Sequence, residues 1–300
     1  MPARMPREHG RYVALVILAA VWQGMIGVFA KWISWPPLPI VCLRCVFATG
    51  MLWLVLALRP RRSSDGEPGT ILTNWRVLLG SGVLLAVHWG TLFWAYKVAP
   101  VGPVVVAVFT YPLLASVVEP FCFGGRPVAR QVWAAVLGLV GVTLITLQGG
   151  MDESAGQLRL GVTLGLISAA CFALRGIYSR KLLQKTDAIT IMAVQTTVVA
   201  VLFAPTLIQV SAPLVSVREL ALLGILGVAF TALPHTVNVW ALRHLSVAAS
   251  GIIGSLQVLS GIALSVVLLG ERAPLVVWIG AGLVVLAVAW ESTAASPGAK

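Results

Sequence analysis

Ten stretches of roughly twenty apolar residues follow one another along this chain, and they decide what it can fold into. Their approximate bounds are 12–32, 38–58, 77–97, 102–124, 129–148, 160–179, 188–209, 219–242, 246–270 and 274–291. About 20 apolar residues cross the hydrocarbon core of a bilayer as an α-helix. Inside that core every backbone N–H and C=O must be satisfied within the segment, which selects helices. Composition closes the alternatives: of 300 residues, 59% are apolar and 10% charged, with a mean hydropathy of +0.95. Soluble domains carry about 25% charged residues. This chain has too few to coat a globule, and disorder, collagen and coiled coil fall by the same arithmetic. The expected class is all-α, a polytopic membrane protein with ten transmembrane helices. The first run is full length and no small-residue cleavage site follows it, so a removed signal peptide is not expected.

The net charge of +11 reads as a topology signal rather than a nucleic-acid signal. Arg4, Arg7, Arg11, Arg59, Arg61, Arg62, Arg76, Arg126, Arg130, Arg180, Lys181, Lys185, Arg243 and Lys300 fall on one side of the spans. Only Lys31, Lys97, Arg159, Arg218 and Arg272 fall on the other, while Arg44 and Arg175 lie within spans. Basic residues mark the cytoplasmic side, so both termini are expected there, in a cell (inner) membrane, with anionic lipid as a partner. The four cysteines, Cys42, Cys45, Cys122 and Cys171, lie in apolar runs and imply no disulfide framework. Cys42 and Cys45 are read as packing residues, because a redox motif needs an accessible helix start. Connections are short; the longest, near 59–76, is a polar Pro/Gly/Ser loop.

The chain repeats itself. Positions 95–126, advanced by 146, align without a gap to 241–272. Ala95 meets Ala241, Leu113 meets Leu259, and Gly124-Gly125-Arg126 meets Gly270-Glu271-Arg272. The expected halves are 12–148 and 160–291, with five spans each. An odd number of spans forces the halves to insert in opposite orientations. Inverted repeats of this kind support alternating access, with the substrate site near midplane between them.

The residues also resemble a known family, the EamA-type transporters of the drug/metabolite transporter superfamily. The resemblance rests on Ala241-Leu242-Arg243-His244, LLGER at 268–272, Trp278-Ile279-Gly280-Ala281, Ala95-Tyr96-Lys97, Tyr111-Pro112, FGGR at 123–126 and Ser179-Arg180-Lys181-Leu182. Arg44 matches an Arg often present in the family's second span. It covers about 12–291. Two departures stand out: Gln257-Val258 replaces the family's mid-span Pro in span nine, and Gly-Glu-Arg becomes Gly-Gly-Arg in the first half. The resemblance implies ten helices and export or exchange of small metabolites, often amino acids.

Polar residues inside spans are costly and face protein or a water-filled cavity. Arg44 is the candidate anchor for a substrate carboxylate or phosphate, since its planar fork suits either; its alternative is snorkelling to the outer headgroups. His88 near midplane, and His235 at the repeat-equivalent depth, are candidates for lining the cavity or coupling protons. Glu119 and Arg175 are read as a buried ion pair, either a gate or a static bridge. Tyr111 and Gln257 share a repeat position and are expected to share the cavity, with Gln23. Trp22 and Trp89 are expected as its apolar walls. Glu271 is read as a structural cap with Arg272. Gly161-x-x-x-Gly165 reads as a close helix contact. No i, i+4 ligand pair supports a metal, and no cofactor is expected.

The leading function is therefore a secondary transporter, an exporter or exchanger of a small carboxylated metabolite, monomeric or homodimeric. No Walker A motif is present, so direct ATP coupling is not expected. The alternative is an intramembrane enzyme using His88, Glu119 and His235. A passive channel would require a continuous polar stripe or charged rings.

Overall fold

The computed structural model describes residues 17–59, 74–147, 153–184, 186–211, 215–243 and 254–292. Arg4, Arg7, Arg11, Arg61, Arg62, Lys185, His244 and Lys300 lie outside them. The described residues are helical with connecting turns, and no strand occurs among them. Seven helices are long and apolar enough to cross a membrane. They are α2 (Pro37–Leu58), α3 (Trp75–Val98), α4 (Val101–Cys122), α5 (Ala129–Leu147), α6 (Glu153–Leu182), α7 (Ala188–Gln209) and α8 (Val217–Ala241). Three shorter apolar helices accompany them: α1 (Ile17–Trp32), α9 (Leu256–Leu269) and α10 (Leu275–Ser292). Leu54, Trp94, Val201 and Leu286 are exposed on the outside, as lipid-facing residues must be.

Three helices are interrupted, each for a local reason. In α1 the chain tightens at Gly24 and Met25, whose N–H groups donate to Val21 O and Trp22 O at 3.1 and 3.2 Å. Glycine is required at position 24: a Cβ there would stand 2.3 Å from Ser260 Oγ of α9. Helix α4 divides into Val101–Val108 and Tyr111–Cys122. The division falls just before Pro112, whose ring lacks an N–H and crowds the carbonyl four residues back. In α8 a π turn at Val228–Ala232 precedes Pro234, and Thr231 Oγ1 donates to Leu226 O at 2.7 Å. Broken helices leave backbone groups available where a membrane protein binds its solute.

The interior is built around α4, whose Val101–Val108 half is buried at every residue. It is apolar on all sides, as a fully buried helix must be. Gly161 and Gly165 of α6 meet Ala99 and Ala107 so closely that an added Cβ would lie 2.3 and 2.9 Å from their Cβ atoms. The expected close contact is therefore present. Gly227 of α8 is also closely packed, since a Cβ would meet the Arg44 carbonyl oxygen of α2 at 2.4 Å. Gly227→Ala is expected to cost about 1–3 kcal/mol through overpacking. Gly50→Ala, inside α2 with nothing within 4 Å, is expected to be neutral or to stabilise by up to about 1 kcal/mol. Thermal unfolding of both variants in nanodiscs checks this.

Charged residues gather at the two ends. At one, Asp187 caps α7, accepting from Ile189 N and Thr190 N at 3.1 and 3.2 Å. Arg59 grips the same carboxylate, with Nη1 and Nη2 each 3.2 Å from one oxygen. Burial works to raise the Asp187 pKa, but the Thr190 and Arg59 contacts outweigh it and hold it below 3.8. A depressed carboxylate contributes stability above its unfolded pKa, and that contribution is lost as pH falls through the folded one. Asp187→Ala is expected to cost about 1 kcal/mol at neutral pH. The deficit shrinks as pH falls below 3.8, which unfolding across a pH series reads directly. At the other end, Ser34 N and Oγ donate to Glu219 at 3.1 and 3.3 Å. Glu271 accepts from Val101 N at 2.8 Å, capping α4. The sequence predicts Glu271 as a cap with Arg272; its partner here is instead a helix start in the other half of the chain. Cys42 Sγ donates to Ala200 O at 3.5 Å and Cys45 is fully buried, which fits packing.

Candidate functional site

A central cavity of about 50 Å³ lies where the breaks in α1 and α4 and the residues after the π turn of α8 converge. Its wall includes Gln23, His88, Trp89, Tyr111, Arg175, His235 and Gln257. Seven of the ten residues singled out from the sequence therefore meet at one place. A water molecule needs about 10–15 Å³ by this measure, whereas metabolite pockets run to about 300–1,000 Å³. This conformation is contracted around a site with room for a few waters.

Arg175 is held by α7, and its partner there is tied to two further helices. Its Nε and Nη2 donate to Gln195 Oε1 of α7 at 3.0 and 2.7 Å, and Nη2 reaches Met192 Sδ at 2.7 Å. Gln195 is held in turn: its Nε2 donates to Ser81 Oγ of α3 at 2.9 Å and to Ser179 Oγ of α6 at 3.1 Å. Ser81 Oγ donates to Leu78 O at 2.8 Å. Gln195, Ser81 and Ser179 are all fully buried. The guanidinium is thus fixed on one edge by a satisfied network, and Nη1 is left outside those bonds. Such preorganisation suits recognition of an anion.

His88 is fixed by Ser168 of α6. Its Nδ1 lies 3.0 Å from Ser168 O and 2.7 Å from Ser168 Oγ. A carbonyl only accepts, so Nδ1 carries the proton. Ser168 Oγ then donates to His88 O at 3.0 Å. The ring therefore presents Nε2 as an acceptor on the wall of the cavity it lines. Phe172 stacks on this ring at 4.4 Å, and Tyr111 meets Phe172 edge-on at 4.7 Å. His235 meets Trp89 edge-on at 5.2 Å, and neither of its ring nitrogens has a hydrogen-bond partner. Gln23 Oε1 accepts from Asn238 Nδ2 at 3.1 Å, while Gln23 Nε2 is buried and unpartnered. Buried polar groups without partners are rare and call for a ligand or water.

Three expectations are corrected by the geometry. Arg44 stands behind the wall rather than in it: its guanidinium lies 4.1 Å from the Trp89 ring and 4.4 Å from Phe93. It is fully buried, and none of its three nitrogens has a hydrogen-bond partner. Glu119 pairs with Arg180 rather than Arg175. Successive helical residues turn by about 100°, so positions 175 and 180 face different ways, one toward Gln195 and one toward the end of α4. Trp22 is 45% exposed and stacks on Phe230 at 5.3 Å, facing away from the cavity. The same rotation explains it, because Trp22 and Gln23 are adjacent and cannot both point inward. The enzyme alternative needs His88, His235 and Glu119 together; Glu119 is absent from the cavity wall. Among the described residues, no group of three or more His, Cys, Asp or Glu side chains is placed to hold a metal.

The cavity also contains residues not singled out. Asn238 follows His235 by three positions and so shares its helix face, a signal present in the sequence. Phe172 lines the cavity too, but nothing distinguished it from other apolar residues of its span.

No curated protein matches the sequence. A solved structure, described only as a crystal structure of a protein, superposes with a TM-score of 0.68. It covers 95% of this chain and 98% of its own at 17% identity, a likeness of fold alone. The profile of the EamA-like transporter family matches residues 10–147 and again 159–293. Matched twice and over nearly its whole length, the chain belongs to the EamA-like transporter family, within the drug/metabolite transporter superfamily.

Proposed function

We propose that this membrane transporter exports or exchanges a small carboxylated metabolite, such as an amino acid, by alternating access between two inverted halves. The observation that carries the reading is the charge balance of the cavity. Arg175 lies on its wall, Arg44 stands one ring behind it, and no Asp or Glu is among the described lining residues. An anion entering there meets a fixed guanidinium in a low-dielectric setting. For a zwitterion, the carboxylate takes Arg175 and the ammonium donates to His88 Nε2.

The same reading has the three shorter helices completing ten crossings, in halves 12–148 and 160–291. Both termini face the cytoplasm across the inner membrane, where the basic ends meet anionic lipid. The gates are contacts between halves. Glu119–Arg180 closes the cytoplasmic end, and Ser34–Glu219 with Val101–Glu271 closes the outer end. Such pairs break and reform between states.

The test is counterflow in proteoliposomes preloaded with amino acids, organic acids and aromatic compounds, with mass spectrometry of the solutes. The expected result is saturable exchange of an unmodified carboxylated solute. Exchange confined to uncharged or cationic solutes contradicts the anion reading. A chemically altered solute moves the reading to the enzyme, and non-saturable flux moves it to a channel.

A further inference from the structure

On the outer side of the α1–α8 pair lies an open groove of about 280 Å³, lined by Leu18, Ala19, Trp22, Leu233, Pro234 and Val237 among others. Its surface is apolar almost throughout. The next residues along the chain line the central cavity: Gln23 follows Trp22, His235 follows Pro234, and Asn238 follows Val237. Groove and cavity are therefore the two faces of one helix seam. The seam is crossed by the Gln23–Asn238 hydrogen bond at 3.1 Å and the Trp22–Phe230 stack at 5.3 Å. Both helices are locally weakened at this level. α1 carries its Gly24–Met25 turn, and α8 its π turn and Pro234. π turns and prolines are where helices bend.

Charge complements shape here. The cavity offers a guanidinium and unpartnered polar atoms, while the groove beyond the seam offers almost none. From this we infer that the seam is a lateral portal for an amphipathic carboxylate, the head at Arg175 and the apolar tail in the groove. Gln23–Asn238 is the latch that parts to let the tail through. The inference rests on the carboxylate reading of the cavity and narrows it to acids bearing an apolar chain.

The probe is a ten-carbon fatty acid carrying a mid-chain diazirine, photolysed with the protein in nanodiscs, with labelled peptides mapped by mass spectrometry. The corresponding fatty alcohol is the control for lipid that merely fills the groove. Labelling by the acid is expected to concentrate on the 18–22 and 233–237 segments, several-fold above the alcohol. Leu233→Trp, at an exposed position that narrows the groove from outside, is expected to remove that labelling without unfolding the protein. Arg175→Gln is expected to reduce the acid to the level of the alcohol. Equal labelling by acid and alcohol, or labelling indifferent to Leu233→Trp, overturns the portal. Exchange of short carboxylates, measured alongside, judges the cavity separately. If it is intact while groove labelling fails, only the portal is lost; if it is absent, the carboxylate reading itself falls.

Discussion

Arg175→Gln is expected to raise the half-saturation concentration for the carboxylated solute at least thirtyfold, or to abolish exchange. The guanidinium is 2% exposed and is held by Gln195 on one edge only. Removing one partner of a buried, hydrogen-bonded charge pair costs about 2–5 kcal/mol. At about 1.4 kcal/mol per tenfold, the lower bound is roughly thirtyfold. Arg175→Lys keeps the charge but cannot span Gln195 and the solute as a planar fork does, so it is expected to recover little. Gln195→Ala, which frees the fork without touching the cavity wall, is expected to weaken exchange less than Arg175→Gln. Counterflow kinetics on the three variants, with unfolding temperatures as the control for folding, give the ranking. Wild-type kinetics in Arg175→Gln would place the anion site elsewhere.

The second large effect has opposite signs in two assays. Arg44→Met is expected to leave the unfolding temperature unchanged or raise it, while lowering exchange at least tenfold. In this conformation the Arg44 guanidinium has two aromatic faces and no hydrogen-bond partner. Cation–π contacts are worth up to about 2 kcal/mol when desolvated, well short of the several kcal/mol that burying an unpaired cation costs. Apolar replacements of buried ionic groups are often neutral or stabilising by about 1–4 kcal/mol. Exchange lost while stability is kept or gained is the result expected of a group that acts on the solute rather than on the fold. Arg44→Met with a lowered unfolding temperature and full exchange would assign it a structural role instead.

The fold was legible because its signals are long. Runs of twenty apolar residues survive any local ambiguity, and the family profile matches the chain in two stretches, 10–147 and 159–293. Pro112 accounts for the break in α4, where its missing N–H removes a ladder bond. The cavity was legible by depth for His88, Tyr111 and Gln257, polar groups at mid-span that the bundle brings together; Arg175, expected as a gate residue with Glu119, joins them on the wall instead. Rotation about each helix axis was not. A sequence gives the level of a residue in the membrane but not its azimuth, which is set by packing against neighbours. That is why Trp22 faces outward, and why Glu119 meets Arg180. The expectation for Arg44 failed differently. Depth was no guide to the Trp89 indole standing between it and the cavity, because a side chain's shield comes from another helix. Asn238 was legible and overlooked, one helical turn beyond His235.

Alternating access to this cavity can be read from a single cysteine in a cysteine-free background. Gln257→Cys lines the cavity, and reaction with a membrane-impermeant thiol reagent is measured from each side of sealed vesicles. A second protein adds Glu119→Cys and Arg180→Cys, cross-linked to hold the cytoplasmic end shut. Reaction from both sides is expected in the first protein, reaction from the outside alone after cross-linking, and loss of counterflow in the cross-linked form. Reaction from one side only before cross-linking, or counterflow that survives the cross-link, would contradict alternating access.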